Sequence, residues 1–362
     1  MFPTIEYINW ISGRPEVALH DLGTSELWGD RDHEPRPIPP ILQNKDDPPT
    51  GATLEVQLAQ KYDVQPQQVV ITAGASQANF LSIATKIQQR NESHVLVEKP
   101  TYEPLRKIPA ALGATVNRFS RSEQYEIDPK VISQSLTPET DLIIITNRHN
   151  PSGVSTSRDT LTQIAQLAVE NDCYLLIDEV YGPYRDPDSA TDRGLGGISG
   201  VGLDNTIITN SLTKFYGLGD VRIGWVIGPQ ETIEDVRKIK DYSQCVGQTN
   251  RALGQRALHH SDDMESRAYD LIRQNSAILS DFVAQRSDIA GFVPENNTFC
   301  FVKCTTMDGD QLVNKAWEQG ILLVPGRFFE DSDRIRISLG RSPENSEAAL
   351  TALSEVLDET KQ

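Results

Sequence analysis

The sequence has few cysteines and no long apolar run. Its 362 residues include four cysteines, at positions 173, 245, 300 and 304. These are too few and too scattered for a disulfide framework or a zinc site, so no metal site is expected. No apolar run approaches the roughly 20 residues that span a bilayer, and the first segment carries acids where a signal peptide has basic residues. We therefore expect a cytoplasmic protein without a membrane partner.

Basic residues are also in deficit. The sequence has 51 acidic and 34 basic residues, which gives a net charge of -17. Such a surface repels phosphate backbones and anionic membranes, so nucleic acid is not an expected partner. Hydrophobic residues make up 38% and charged residues 23%, which is typical of a globular protein. The length exceeds what one core usually supports, so two domains with a cleft between them are expected.

The hydrophobic pattern divides the chain into three parts. Residues 1–45 are rich in proline and polar residues and predict an arm without packed elements, joined to the small domain. Residues 46–255 alternate amphipathic helices with short apolar strands, which predicts a large α/β domain with a mainly parallel, helix-covered sheet. Residues 256–362 predict a smaller C-terminal α+β domain. The strands of the sheet are expected at "QVVITAG", "HVLVEKP", "DLIIITN", "CYLLIDE", "NTIITNS" and "IGWVIG".

Ligands of open parallel sheets bind beyond the carboxyl ends of the strands. In "VITAGAS" a strand runs into Gly74, Ala75 and Ser76 and then into a helix. Backbone N–H groups at a helix start and the Ser76 hydroxyl can bind a phosphate, although strand, small turn and helix is a common sequence. The dinucleotide fingerprint G-x-G-x-x-G is absent from this place.

Two loops after other strands carry further candidates. Tyr102 lies in the proline-bracketed loop "VEKPTYEPL", where its ring either covers a flat ligand or packs the loop onto the domain. Asn150 in "RHNPSG" either starts a turn or donates a hydrogen bond at the strand end. His149 beside it is more simply explained as structural.

Two last segments carry charge. In "YLLIDEVYG", Asp178 ends an apolar strand, where a buried carboxylate needs a cationic partner, and Tyr181 follows three residues later. In "NSLTKFYGLGDVRIGW", Ser211 and Lys214 follow a strand and Arg222 closes a glycine-rich loop. Lys214 is either an ion-pair partner or a reactive amine. A phosphate site, a buried acid, an aromatic ring and a confined lysine together suit pyridoxal 5'-phosphate.

These motifs resemble those of the fold-type I pyridoxal-phosphate enzymes, the class I/II aminotransferases. "SLTKFYGLGDVRIGW" is similar to the lysine motif, "NPSG" to the Asn-Pro-x-Gly element, "IDEVY" to the Asp-x-x-Tyr element and "RIRISLG" to the C-terminal arginine motif. They occur in the family's order from about residue 50 to residue 350. The resemblance implies an aspartate-aminotransferase-like fold and transfer of an amino group between an α-amino acid and a 2-oxo acid.

The resemblance also implies roles at the cofactor ring. Lys214 would bind the cofactor covalently and then move the proton of the substrate Cα. Asp178 would hold the ring nitrogen protonated. Asn150 and Tyr181 would donate to the ring oxygen, and Tyr102 would stack on the ring.

At the two ends of the site, the resemblance implies anion-binding residues. Arg336 would bind the substrate α-carboxylate through a bidentate pair, a geometry that lysine does not replace. The phosphate would be held by Ala75, Ser76, Ser211 and Arg222.

The chain departs from the family pattern at two places. "NKDDPPTGATLEVQ" lacks the tyrosine that usually reaches the partner's phosphate and has Glu55 instead of an arginine, although a homodimer is still implied. "VPGRFF" has Arg327 where a small residue is usual, so Arg327 either selects a second anion on the substrate or lies on the surface.

Other functions of the same fold stay open. One is a decarboxylase or lyase resembling threonine-phosphate decarboxylase, and another is a non-catalytic sensor that binds the cofactor. The sensor is disfavoured because the chain has no helix-turn-helix region or basic extension. The sequence does not identify the amino donor.

Overall fold

The computed structural model describes residues 2–28, 38–43, 52–87, 92–184, 195, 197–244 and 246–359. In these ranges the strands are β1 (His20–Asp21), β2 (Val69–Thr72), β3 (His94–Lys99), β4 (Thr115–Ser120), β5 (Thr140–Thr146), β6 (Tyr174–Asp178), β7 (Thr206–Ser211), β8 (Gly224–Ile227), β9 (Ile289–Ala290), β10 (Phe299–Cys304), β11 (Ile321–Leu322), β12 (Val324–Pro325) and β13 (Arg334–Ser338). The helices are α1 (Glu6–Ile11), α2 (Arg14–Val17), α3 (Pro40–Gln43), α4 (Leu54–Tyr62), α5 (Gly74–Ile87), α6 (Glu103–Ala111), α7 (Pro129–Ser135), α8 (Arg158–Glu170), α9 (Gln230–Lys240), α10 (Gln248–His259), α11 (Ser261–Gln285), α12 (Gly309–Glu318) and α13 (Pro343–Glu359). None of these helices is long and apolar enough to cross a membrane.

The large sheet has the strand order β2-β8-β7-β6-β5-β3-β4. The pairs from β7 to β4 are parallel, and β8 runs antiparallel to both β2 and β7. The mainly parallel sheet is therefore confirmed, and the six expected strands are present. Strand β4 was not expected, because its polar sequence "TVNRFS" lies at the sheet edge, where burial does not select apolar residues.

The small sheet is antiparallel, with the order β12-β13-β10-β9. The N-terminal arm packs against the same part of the chain, because β1 pairs in parallel with β11 through His20 and Ile321 in a separate two-stranded sheet. Leu22 of the arm is buried in the same core as these strands. The expectation of an arm without packed elements was wrong, since α1, α2, α3 and β1 are regular. Residues 1, 29–37 and 44–45 of the arm lie outside the described residues.

Helix α11 connects two hydrophobic cores. Its first half contributes Met264 and Ala268 to the core of the large sheet. Its second half contributes Leu279 and Val283 to the core of the small sheet. The packing therefore changes within this helix, C-terminal to residue 255, and the exact domain bounds stay a prediction.

A buried ion pair ties the carboxyl ends of β3 and β5 to the chain after β4. The Arg121 guanidinium donates to the Glu98 carboxylate at 2.6 Å, and both side chains are fully buried. Arg121 also donates to the carbonyl oxygens of Tyr125 and Thr146. The other Glu98 oxygen accepts from the backbone N–H and the hydroxyl of Thr146. Because the Asn150 N–H donates to the Thr146 hydroxyl, the pair also fixes the loop that carries Asn150.

Replacing Arg121 by methionine is expected to destabilise the protein by about 3–5 kcal/mol, because it leaves the Glu98 carboxylate buried without a cation. The measurement is urea unfolding of the cofactor-free protein. Arg273→Met is the control, since its pair with Asp270 is 73% and 56% exposed and exposed pairs contribute at most about 1 kcal/mol. Equal, small losses in both variants would contradict the role of the Arg121 pair.

Candidate active site

A cavity of about 210 Å³ lies at the carboxyl ends of the central strands. It contains all nine predicted cofactor residues and Arg336. Five lining residues were not predicted, and Arg327 is not among the lining residues. The complete lining is Tyr7, Ala75, Ser76, Asn79, Tyr102, Thr146, Asn150, Asp178, Val180, Tyr181, Ser211, Thr213, Lys214, Arg222 and Arg336.

One end of the cavity has the chemistry of an anion site. Helix α5 begins at Gly74, so the N–H groups of Ala75 and Ser76 belong to its first turn, where backbone donors lack partners within the helix. Arg222 lies beside them and donates to the Ala73 carbonyl oxygen at 3.2 Å. Free N–H groups, hydroxyl groups and a guanidinium together suit a phosphate.

Glycines allow this end of the cavity to form. Gly74 has φ of +76°, and a Cβ there would lie 2.6 Å from Nη2 of Arg222. A Cβ at Gly224 in β8 would lie 2.8 Å from the Ala75 nitrogen. Because both distances are too short for real contacts, side chains at these glycines would displace the anion-binding groups.

Asp178 is a buried carboxylate at the centre of the cavity. Its Oδ2 accepts from Nδ2 of Asn79 at 2.7 Å, and the Asn79 Oδ1 accepts from the Thr209 hydroxyl at 2.6 Å. Its Oδ1 accepts from the Val180 N–H at 3.2 Å. Burial raises the pKa of Asp178 to about 6, partly offset by the Asn79 hydrogen bond. The charge of Lys214 favours the ionised carboxylate through space. Within the described residues no cation forms an ion pair with Asp178, so the carboxylate is open to a bound cationic group.

Lys214 follows β7 and faces the same cavity. Its backbone oxygen accepts from the Leu27 N–H at 3.0 Å, which holds the loop against the arm. Its Nζ makes no hydrogen bond or ion pair with the described part of the chain. The Lys214 amine is therefore available to a ligand, as the prediction of a reactive lysine requires.

The three remaining ring residues also reach the cavity. The Asn150 Oδ1 accepts from Arg336 at 3.0 Å, which leaves the Asn150 amide hydrogens as donors. The Tyr181 hydroxyl shares a 2.6 Å hydrogen bond with the Ser25 hydroxyl of the arm. Tyr102 lies edge-on to the ring of Tyr7, with ring centroids 5.8 Å apart.

Arg336 forms the other charged end of the cavity. It is 1% exposed and donates only to neutral acceptors, namely Asn150, the Tyr7 hydroxyl and the Gly23 carbonyl oxygen. Its Nε is buried without a hydrogen-bond partner. No carboxylate of the described chain pairs with it, so Arg336 is suited to an anionic ligand.

Arg327 does not reach the cavity. The 3-10 turn over 326–329 buries Phe328 and Phe329, and this directs Arg327 outward. Its guanidinium pairs with Asp310 and lies 4.6 Å from the ring centroid of Phe328. The alternative of a surface arginine therefore fits the structure, and the expected contact of Arg327 with the substrate is not seen; its acidic partner is Asp310.

Some lining residues were missed by the sequence analysis. Asn79 lies three residues after Ser76 and so on the same face of α5, a spacing that could have identified it. Tyr7 had no comparable signal, because it lies far from the motifs in the sequence. His149 contacts the Ser152 hydroxyl and the Pro100 carbonyl oxygen through its two ring nitrogens, and burial lowers its pKa well below the usual value. This histidine is structural.

The family model for "Aminotransferase class I and II" matches residues 45–353. The chain belongs to this family. Membership confirms the predicted family, the PLP-dependent transaminase activity and pyridoxal 5'-phosphate as the cofactor.

The similarity of this aminotransferase to known proteins covers most or all of the chain. It is 26% identical to a capreomycidine synthase of Streptomyces vinaceus, over 98% of this chain and 94% of that protein. It is 24% identical to an aspartate/prephenate aminotransferase of Thermus thermophilus, over 86% of this chain and 82% of that protein. A PLP-dependent aminotransferase structure from Streptococcus suis has a TM-score of 0.85 at 27% identity, with 100% and 99% of the two chains covered. These similarities confirm the aspartate-aminotransferase-like α/β fold.

The cavity of this aminotransferase fits pyridoxal phosphate on its own chemistry. The glycine-lined cradle at the start of α5 suits the phosphate. The buried carboxylate of Asp178 suits the ring nitrogen, and the Lys214 amine suits the aldehyde. Among the described residues, no group of three or more histidine, cysteine or acidic side chains is arranged to hold a metal ion.

Replacing Gly74 by alanine is expected to weaken pyridoxal-phosphate binding about tenfold or more, because the new Cβ displaces Arg222 and a hydrogen bond to a charged group is lost. Titration of the cofactor-free protein with pyridoxal phosphate measures this. Gly113→Ala is the control, since Gly113 also has positive φ, +96°, but its Cβ would meet nothing within 4 Å. An equal loss in both variants would indicate backbone strain and not a phosphate contact.

Proposed function

We propose that the lining residues of this cavity carry out transamination between an α-amino acid and a 2-oxo acid. One observation carries the proposal: the free amine of Lys214, the buried carboxylate of Asp178 and the buried guanidinium of Arg336 line one cavity. When bound, pyridoxal phosphate supplies an electron sink for the charge that develops at the substrate Cα. The residues of the chain bind, orient and move protons around it.

Asp178 would stabilise the positive charge on the ring nitrogen. A carboxylate favours a nearby cation most strongly where water is excluded, and Asp178 is 4% exposed. Asn79 and the Val180 N–H orient the two carboxylate oxygens and favour the ionised form. The carboxylate is thus fixed before the cofactor binds.

Lys214 would act as the base that takes the proton from the substrate Cα. Its Nζ is the one lysine amine that lines the cavity in the described chain. The loop that carries it is held by the Leu27 N–H. A base in a fixed position contributes about 10²- to 10⁴-fold to the rate.

Arg336 and Asn150 would bind and orient the substrate. The buried Arg336 guanidinium supplies the donors for the α-carboxylate. Asn150 links the two ends of this arrangement, because its carbonyl accepts from Arg336 while its amide hydrogens can donate to the cofactor ring oxygen. Substrate and cofactor would therefore be held at a fixed distance from each other.

A synthase reaction on the same cofactor is a second candidate, favoured by the similarity to a capreomycidine synthase over 98% of the chain. The decarboxylase or lyase alternative rests on the sequence motifs alone. Incubation with a panel of amino donors and a 2-oxo acid separates these reactions. Transamination yields a new amino acid and a new 2-oxo acid, whereas decarboxylation releases carbon dioxide and an amine.

We further propose a homodimer. The arm supports it, because Phe2, Ile8, Val17 and Leu19 are 65%, 43%, 68% and 78% exposed, and exposed apolar groups in one segment favour association. The segment that lacks the usual tyrosine for the partner's phosphate begins with residues 44–51, which lie outside the described residues. The cytoplasmic location stays a prediction.

Replacing Lys214 by alanine is expected to remove the covalent cofactor adduct and to lower turnover at least about 100-fold, because the base and the bonding amine are lost together. Borohydride reduction followed by mass spectrometry measures the adduct. Lys86→Met is the control, since Lys86 is another buried lysine, whose pKa burial lowers to about 8. An adduct that persists in Lys214→Ala would assign the bond to a different amine.

Replacing Asp178 by asparagine is expected to leave cofactor binding detectable and to slow turnover about 1000-fold, since a charge that stabilises the transition state contributes about 4 kcal/mol. Steady-state kinetics at saturating donor measures the loss. Asp141→Asn is the matched control, because Asp141 is 6% exposed at the opposite end of β5. Near-normal turnover of the Asp178 variant would argue against its proposed role.

A further inference from the structure

The N-terminal arm contributes a side chain to the substrate end of the cavity. Tyr7 of α1 lines the cavity and is 9% exposed. Its hydroxyl lies 3.2 Å from Nη2 of Arg336. Its ring lies edge-on to Tyr102 of the large domain and contacts Phe328 and Phe329 of the small domain. Tyr7 therefore lies where the arm and both domains meet.

A buried carboxylate fixes Tyr7 in this place. The Tyr7 N–H donates to Oε2 of Glu103 at 2.6 Å, across 96 residues of sequence. Glu103 is 1% exposed and is the first residue of α6, directly after Tyr102. Backbone N–H groups in the first turn of a helix lack partners within the helix, and a carboxylate there is stabilising. Glu103 thus holds the start of α1 against the large domain.

The donors of Arg336 are not all used. A guanidinium has five N–H groups, and three of them donate, to Asn150, Gly23 and the Tyr7 hydroxyl. All three acceptors are neutral. A carboxylate that binds Arg336 from the cavity arrives beside the Tyr7 hydroxyl, which lines the same cavity. The O–H bond can rotate, so the hydroxyl can donate a hydrogen bond to the carboxylate while its oxygen accepts from Arg336.

We propose that Tyr7 binds the substrate α-carboxylate together with Arg336, and that Glu103 is the positioning residue that holds Tyr7 there. The identity of the carboxylate rests on the proposed transaminase function. The geometry itself concerns any small carboxylate in this cavity. It assigns to the arm a direct part in substrate binding.

The test of Tyr7 uses the holoenzyme and propionate, an unreactive carboxylate. Tyr7→Phe removes only the hydroxyl and is expected to raise the Kd of propionate about 10-fold or more, since a hydrogen bond to a charged group is lost. The Kd of propionamide, which has no charge, should change little. For amino donors, KM should rise for all donors alike while kcat changes less. Absorbance of the bound cofactor reports the binding of both probes.

Tyr125→Phe is the matched control. Tyr125 is 7% exposed and belongs to the same aromatic cluster as Tyr7, but it does not line the cavity. Its Kd for propionate should equal that of the wild type. The proposal is wrong if Tyr7→Phe binds propionate as the wild type does, or if Tyr7→Phe raises the Kd of propionate and the Kd of propionamide equally. It is also wrong if the wild-type holoenzyme does not bind propionate.

Glu103 is tested by its dependence on Tyr7. Glu103→Ala should raise the Kd of propionate about as much as Tyr7→Phe does. Glu103→Gln keeps an acceptor for the Tyr7 N–H, so its Kd for propionate should be close to that of the wild type. The double variant Tyr7→Phe/Glu103→Ala should bind about as weakly as each single variant, because both changes remove the same contact. Multiplied losses would overturn the positioning role.

Two further measurements test the role of Glu103 and the proposed function separately from the role of Tyr7. If Glu103→Ala does not fold, hydrogen exchange of the Tyr7 amide in the wild-type holoenzyme decides: slow exchange supports the hydrogen bond to Glu103, and exchange as fast as that of an unprotected amide overturns the positioning role. A wild-type protein that binds propionate but transaminates no donor would overturn the proposed function. That result would leave the assignment of Tyr7 to be decided by its own binding data.

Discussion

Two buried charges of opposite sign, Asp178 and Arg336, face one cavity, and neither forms an ion pair within the described chain. Lys214 of the same cavity acts on Asp178 only through space. Asp178 is held by Asn79 and the Val180 N–H, and Arg336 by three neutral acceptors. A buried charge without a counter-ion costs several kcal/mol. The fold therefore carries an electrostatic cost at the site that a zwitterionic set of ligands can offset. A cationic ring nitrogen would meet Asp178, and a carboxylate would meet Arg336.

The buried charges of the site and the buried ion pair beside it differ in their partners. The Glu98–Arg121 pair is complete, because each partner meets an opposite charge and the remaining donors and acceptors are satisfied by Thr146 and Tyr125. It fixes the loop after β5 and leaves no charge for a ligand. Asp178 lies at the end of the neighbouring strand, β6, but its hydrogen-bond partners, Asn79 and the Val180 N–H, are neutral. At the same edge of the sheet, the Glu98–Arg121 ion pair therefore supports the structure, whereas the Asp178 carboxylate is available to a ligand.

The sequence predicted the residues that follow strands, because parallel strands bring their carboxyl ends to one edge. Ser76, Asp178 and Lys214 meet in one cavity for this reason. Tyr7 was not predictable in this way. Its contacts with Glu103 and Arg336 span 96 and 329 residues, and no periodic pattern encodes such a meeting. Arg327 shows the opposite case: its identity suggested a ligand contact, but a 3-10 turn places the neighbouring phenylalanines inside and the arginine outside.

Arg336 connects three parts of the chain through one guanidinium. It belongs to β13 of the small domain, it donates to Asn150 of the large domain, and it donates to Tyr7 and Gly23 of the arm. A ligand that competes for these donors changes contacts of all three parts together. Because all three acceptors are neutral, a carboxylate that binds Arg336 adds an opposite charge to the hydrogen bonding of the guanidinium, which is energetically favourable. If Arg336 binds the substrate as proposed, substrate binding would therefore be coupled to the packing of the arm at this side chain, and Glu103 would hold Tyr7 in place during binding.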